Sequence, residues 1–347
     1  MKNQTRAAYN AYTARLATLN DVAGGAVHST FSVDPGVLQK LEDKMQESSE
    51  FLGRINVIGV DELEGEKIGL GVSGPIASRT DTRGDKRRST RDASAMTNTR
   101  YRCEKTNFDT HINYAKLDAW AKFPDFQTRV ATAILKRQAL DRIMIGFNGV
   151  KVAADTNLAQ YPLLQDVNKG WLQQIRENSP QRVMGLVGQD LPGKVIIGKG
   201  AGADYANLDA AVYDAVTNLD PWYQDDTALV VIVGRELLHD KYFPLINKDQ
   251  APTEALAADI IVSQKRIGGL PAVRVPSFPA NAMLITRLDN LSIYFQNGGR
   301  RRRVVDEPKA DRVENYESSN DAYVIEDEGL AALVENVVLQ DAAAGGA

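Results

Sequence analysis

The sequence predicts a mixed α+β protein with more than one core, and three observations carry that expectation. Its 347 residues exceed the roughly 250 to 300 at which a single hydrophobic core stops growing. Apolar residues recur at helical spacing in some segments and at every second position in others, so neither period owns the chain. A further stretch of about 25 residues is nearly devoid of apolar side chains, too polar to pack on its own domain.

Residues 4–20 place Tyr9, Tyr12, Leu16 and Leu19 at three- and four-residue spacings, the stripe of a short amphipathic helix that needs a partner. A loose connector, 21–35, follows. Pro35 after Asp34 is a favoured helix start, and a second helix is expected to run on to Ile55 with Val37, Leu41, Met45 and Leu52 along one side. Ile55 and Val57, then Ile68, Leu70 and Val72, alternate with small or polar residues as strands do.

Inside that alternation lies Gly69-x-Gly71-x-x-Gly74, the spacing of a dinucleotide-binding fingerprint. In such a fingerprint the glycines follow the strand and open an apolar-periodic helix. Here the next residues, PIASRTDTRGDKRRST, carry no helical stripe, so the glycines read as the small face of a strand. Phe108, Thr110, Ile112 and Tyr114 alternate in the same way, which predicts a long β-hairpin with arms 68–72 and 108–114. Its tip, 77–100, holds Arg79, Arg83, Lys86, Arg87 and Arg88, and is expected either to lie in solvent or to reach another subunit.

Residues 125–149 form the strongest helix pattern in the chain, with Phe126, Val130, Ile134, Ile143 and Phe147 among its apolar positions and Asn148-Gly149 as its stop. A further helix is expected within 163–183. VIIGKGAGADYANLDAAVYDAVTNL reads as strand, glycine turn and helix; its Gly198 to Gly202 cluster lacks the Gly-Lys-Ser/Thr ending of a phosphate loop. ALVVIVGREL is a buried strand entering a helix, and strands broken by turns follow. Arg300 to Arg303 concentrate positive charge, but IYFQ, Asn297-Gly298-Gly299 and RRRVV read as a hairpin, whose arginines could still meet acidic neighbours or DNA. DAYVIED and AALVENVVL form a terminal strand pair before a flexible tail.

Composition narrows the function. The chain is 43% hydrophobic and 25% charged, with 41 Lys plus Arg against 45 Asp plus Glu. That is an ordinary globular composition, and a net charge of -4 removes the electrostatic argument for a dedicated DNA-binding protein. Cys103 is the single cysteine, so no intrachain disulfide or cysteine-rich zinc site is available. The polar amino terminus predicts no secretory signal, and the longest aliphatic run, Leu229 to Val233, is far too short for a membrane helix; a soluble intracellular product is expected. His28, His111 and His239 lack metal-site spacing. There is no nucleophile elbow and no catalytic constellation: an enzyme is not expected, and neither a cofactor nor a catalytic or metal-binding residue is assigned.

The order of parts and seven long segments carry a resemblance. MQESSEFLGRINV, LDAWAKFPDFQTRV, LQDVNKGWLQ, DPWYQDD, LVVIVGRELLHDKYFPLIN, SQKRIGGLPAVRVPSFPANAMLIT and DRVENYESSNDAYVIED resemble the major capsid proteins of temperate contractile-tailed phages typified by coliphage P-two, which have the Hong Kong 97-type fold. The resemblance covers nearly the whole chain. It implies a scaffold-contacting or cleavable segment at 1–34, an arm at 35–59, an extended hairpin loop at 60–111, a peripheral domain with a spine helix at 112–200, an axial domain at 201–300, and return strands with a flexible tail at 301–347.

It further implies a structural protein that self-assembles as pentamers and hexamers into an icosahedral head around double-stranded DNA, in the host cytoplasm, through a scaffolded prohead. The partners implied are copies of itself, an internal scaffold or prohead protease, a portal protein, decoration or size-determining proteins and non-specifically held DNA, with no membrane. Processing is expected near Phe31, Ser32 and Val33. A compartment shell of the same fold and a nucleotide-binding enzyme are the rival expectations; the first would enclose a cargo enzyme, the second would bind ligand as a small oligomer.

Overall fold

A computed structural model describes residues 1–23, 26–68, 71–72, 77, 79–80, 87–88, 94–95, 98–120, 126–188, 191–200, 202–238, 241 and 265–340. Helix α1 (Asn3–Leu19) buries Thr5, Tyr9, Thr13, Leu16 and Ala17. The stripe is rotated from the expected one: Leu19 is half exposed and Tyr12 lies at the edge. Two threonines belong to it because a hydroxyl can be buried once bonded, as Thr13 Oγ1 is to Tyr9 O and Asn10 O at 3.2 and 3.0 Å. Strand β1 (Phe31–Ser32) follows, then α2 (Pro35–Glu47). Asp34 caps α2 by accepting from the Gly36 and Val37 amides at 2.8 and 3.3 Å. The helix stops at Glu47 rather than Ile55, where Ser48 Oγ turns back to Met45 O at 2.7 Å; only a 3-10 turn, Leu52–Arg54, continues.

Next come β2 (Asn56–Val60), β3 (Glu64–Ile68), β4 (Gly71–Val72), β5 (Ser94–Ala95), β6 (Asn98–Arg102), β7 (Glu104–Asn107) and β8 (Thr110–Asn113). Helices α3 (Tyr114–Trp120), α4 (Phe126–Asn148) and α5 (Trp171–Asn178) follow; α4 is the expected spine. α5 is shorter than expected, because 163–170 is a loop that ends where Gly149 and Gly170 bring two backbones together, Gly170 N donating to Gly149 O at 3.0 Å. Trp171 then packs closely on the spine: a Cβ at Gly146 would stand 2.3 Å from its ring. The remaining elements are β9 (Val183–Met184), β10 (Val187–Gly188), β11 (Leu191–Pro192), β12 (Val195–Gly198), α6 (Leu208–Val216), β13 (Val230–Val233), β14 (Arg266–Ile267), β15 (Leu270–Val273), β16 (Met283–Thr286), β17 (Leu291–Gln296), β18 (Arg301–Glu307), β19 (Arg312–Ile325), β20 (Ala332–Val334) and β21 (Val337–Gln340).

The larger sheet is organised on β19, the longest strand. One edge of β19 carries β17 and β18 end to end, Leu291–Phe295 against Ile325–Asp321 and Arg301–Glu307 against Ser318–Arg312. Its other edge carries β7 and β8, also end to end. Outside these, β2 runs parallel to β17 and β1 antiparallel to β18. The expected hairpin at Asn297-Gly298-Gly299 is therefore absent. The glycines, with Gly298 at φ 70°, serve a bulge that lets the chain continue in the same direction along β19. An alternating pattern identifies strands, but β19 offered both flanks a longer partner than they offer each other.

The second sheet, in order β14-β15-β13-β16-β20-β9, is mixed, with β13 parallel to β15 and antiparallel to β16. Its central strands are buried on both sides, which is why they read as continuous apolar runs. Val230 and Ile232 face the core built on α4, α5, β17 and β19; Val231 and Val233 face α6. The expected terminal pair is absent: DAYVIED carries the end of β19, which pairs with β17, β18, β7 and β8, whereas AALVENVVL divides into β20, paired with β16 and β9, and β21, paired with β12.

Candidate assembly interface

The extended hairpin is formed by β3 with β6, Glu64 opposite Arg102 through Ile68 opposite Asn98, and by β4 with β5 farther out. Its return arm is thus 94–102 and not 108–114. Of 108–114 only Thr110–Asn113 is strand, and its partner is β19, with Thr110 opposite Asn315 and Asn113 opposite Arg312; Phe108 and Asp109 separate it from β7, and Tyr114 opens α3. The hairpin holds to the body at its base. Lys67 is buried and donates Nζ to Ile325 O, and burial lowers its pKa against the pull of Glu328, Glu326 and Asp327. Tyr101 stands edge-on to Tyr294 with ring centroids 5.1 Å apart.

On the alternate rungs of the same ladder the ion pairs are exposed ones, Arg100–Glu66 at 3.5 Å and Arg102–Glu64 at 3.2 Å, worth little each. Arg79, Arg87 and Arg88 are exposed. Arg83 and Lys86 lie outside the described residues, as do Gly69, Gly74 and His239. Gly71 is in β4 opposite Ala95, a strand position, as its alternation predicts.

Of the four arginines at 300–303, Arg300 is not a surface charge at all. It is 1% exposed, and it pairs with Glu42 at 2.9 Å and Glu317 at 2.6 Å while Nη2 donates to Gln138 at 3.0 Å. The same Glu42 reaches Arg142, which also donates to Asp321 through Nε and Nη2 at 3.1 and 3.0 Å. Three carboxylates and two guanidiniums from α2, α4, the 297–300 bulge and β19 thus form one buried cluster.

Burial opposes the charge on Arg142, but Asp321 and Glu42 overcome it and raise its pKa. Burial likewise pushes Glu317 up, and Arg300 and Arg302 bring it below its ordinary value. Asp321 remains raised, since burial together with repulsion from Glu42 outweighs Arg142. Sequence reasoning missed this cluster. Its one local signal is Glu42 standing between Leu38 and Met45 on the buried face of α2.

Phe31, Ser32 and Val33 lie at the sheet edge. Phe31 and Ser32 are opposite Arg302 and Arg301, and Phe31 and Val33 are buried. Residues 28–30 just before them are exposed. His28 Nδ1 is 2.9 Å from Val304 O, and His111 is exposed on β8. Cys103 is buried, which pushes its thiol up to about 12. Among the described residues no His, Cys, Asp or Glu side chains gather as metal ligands would, and no helix is long and apolar enough to cross a membrane.

A spine helix laid on a long sheet, a second sheet buried on both faces, and a hairpin leaving the body define an α+β phage-capsid fold of the Hong Kong 97 type. The chain matches the phage major capsid protein, P2 family, over residues 8–337, and it belongs to that family. It is 54% identical over 98% of its length to the capsid protein of Escherichia phage P2, of which it covers 96%. It is 43% identical over its whole length to the whole of the major capsid protein of Serratia phage KSP20. A chain of the solved structure described as the satellite phage P4 procapsid including size determination (Sid) protein is similar at TM-score 0.81, with 50% identity, covering 98% of this chain and 99% of that one. The protein is a structural component of the virion, not an enzyme.

Proposed function

We propose that copies of this chain associate as pentamers and hexamers into an icosahedral head that encloses double-stranded DNA, by way of a scaffolded prohead formed in the host cytoplasm. The observation that carries this is the β3–β6 hairpin, anchored by Lys67 and Tyr101 and otherwise presenting exposed Arg79, Arg87 and Arg88 away from its own core. The tip, with Arg83 and Lys86, lies across an adjacent subunit and pairs with acidic groups there, each exposed pair contributing about 0.2 to 1 kcal/mol. Small contacts repeated at every subunit boundary suffice for a shell.

In this reading 1–34 is the segment that meets scaffold, 35–59 the arm, 60–111 the loop, 112–200 with 301–347 the peripheral domain, and 201–300 the axial domain. A prohead protease cuts near Phe31, Ser32 and Val33, reaching them through the exposed turn at 28–30 once the two-residue β1 peels from the edge. Further partners are a portal protein, decoration or size-determining proteins, and DNA held without base readout. Replacing residues 77–91 by a Gly-Ser turn tests the central point. The variant should remain a folded subunit with near-normal circular dichroism but, co-expressed with its scaffold, give few closed shells by negative-stain microscopy. Wild-type yields of shells would overturn the assignment.

A further inference from the structure

One edge of the larger sheet is open. β7 and β8 pair with β19 on one side, and among the described residues no strand lies along the other. Phe108 N donates to Glu317 O at 2.7 Å and Tyr114 N to Asp311 O at 2.9 Å. By the alternation of an antiparallel ladder, the amides and carbonyls of Asn107, Asp109, His111 and Asn113 therefore point away from β19. Beside them runs a groove of about 500 Å³ whose opposite wall is α4, at Ala133, Ile134, Arg137 and Asp141. Residues 107–112 line it without a gap, side chains of both sheet faces included, which places the groove along the strand edge and not on a face. A groove between a strand edge and a helix selects an extended backbone held by main-chain hydrogen bonds. The helix wall favours small side chains on the strand that enters.

The chain carries such a strand. β4 and β5 pair only with each other, so each keeps an open edge, and the sequence around β4, Gly69-x-Gly71 and then Ser73-Gly74, is made of small residues. Glycine inside a strand weakens it and marks a place where another backbone comes close. We propose that β4 of one copy adds as a further strand to the β7–β8 edge of a second copy, the side that bears Gly71 turned to α4. A second copy is the occupant because the chain belongs to a family of capsid proteins, which associate with themselves, and because its own hairpin is held at the base on the β17 half of the sheet by Lys67 and Tyr101. The strand given and the edge that receives it lie at different places on the chain, so the contact is head-to-tail and passes from copy to copy, as a ring requires. This placement rests on the reading of the hairpin as reaching a neighbour. It adds where the hairpin lands, and gives the glycine spacing a role that no phosphate explains.

Amide exchange of the unmodified full-length chain, compared between free subunits and closed shells, tests this. Exchange across 107–113 should slow by about 10-fold or more on assembly. Gly71→Cys combined with His111→Cys or with Asn113→Cys should give, when shells are oxidised, chains linked in series on a non-reducing gel, since facing strands bring Cβ atoms within disulfide reach. Each single variant should run as one chain, Cys103 being buried. Gly71→Val, which favours the strand itself, should nonetheless lower the yield of shells, whereas His111→Ala, which keeps the main-chain amide, should not. Three results overturn the docking and leave the hairpin's part in assembly standing: closed shells in which 107–113 exchanges as fast as in the free subunit, slowed exchange with shells in which neither paired variant links chains, or an undiminished yield from Gly71→Val. Wild-type shells from the 77–91 replacement overturn that part itself. If the paired variants form no shells, exchange in the unmodified chain decides.

Discussion

Replacing Arg142 by Gln should be far more damaging than replacing Glu42 by Gln, although the two side chains are bonded to each other. The buried cluster holds three acids and two guanidiniums. Arg142→Gln leaves Asp321, which is 0% exposed, with the Ser319 hydroxyl at 2.9 Å and the Asn168-bonded backbone around it, and leaves two acids in excess over one remaining cation. Stranding a buried charge in this way costs about 3 to 5 kcal/mol, a large part of the roughly 5 to 15 kcal/mol that holds a domain folded. Glu42→Gln removes the surplus acid instead. Arg142 keeps Asp321 and Arg300 keeps Glu317, so the loss is that of charge-assisted hydrogen bonds, about 1 to 3 kcal/mol. Urea unfolding of dilute subunits, followed by the fluorescence of buried Trp171, measures both. A Glu42→Gln cost equal to or above that of Arg142→Gln would refute the charge accounting.

Further expectations follow from neighbouring features. Gly146→Ala should cost about 2 to 4 kcal/mol in the same assay, because its Cβ falls 2.3 Å from Trp171 and either the ring or the spine must give way. Two acids of the cluster should shape acid stability in opposite ways. The fold binds the Asp321 proton more readily than the open chain, so stability rises as pH falls through that raised value. Glu317 is held ionised, so its contribution is present above about 4.5 and is lost as pH falls through its lowered value; Glu317→Gln should flatten the acid limb of a stability–pH curve. Lys67→Met should leave the body's melting unchanged within about 1 kcal/mol, yet speed amide exchange across 64–68 and 98–102, because its bond to Ile325 O ties the hairpin base down.

Much of the fold was legible because local chemistry decided it. Asp34-Pro35 started α2 where it should, and LVVIV marked a strand covered on both faces. Errors arose where a distant partner or a side-chain hydroxyl outvoted the local pattern. Ser48 ended α2 early; Thr5 and Thr13 rotated the stripe of α1. Asn297-Gly298-Gly299 has the composition of a tight turn, but its flanks both found β19. The alternation through Thr110 and Ile112 marks a strand but points to the wrong neighbour, since a period of two fixes which face is buried and not which strand lies alongside. The ionic cluster was illegible because its members come from positions 42, 142, 300, 317 and 321, and only folding brings them together.

The placement of β19 also dictates when a newly made chain can become a subunit. β17, β18, β7 and β8 all lean on it, and β2 waits for β17 across 236 residues of chain. Until the ribosome has delivered residues 312–325, the spine helix lacks the larger sheet and Arg142 has no Asp321 to meet. Folding must therefore follow synthesis, slowly, as such distant pairings require. A polypeptide that ends before residue 312 lacks the strand on which the larger sheet is built, and so cannot take the place of a finished subunit.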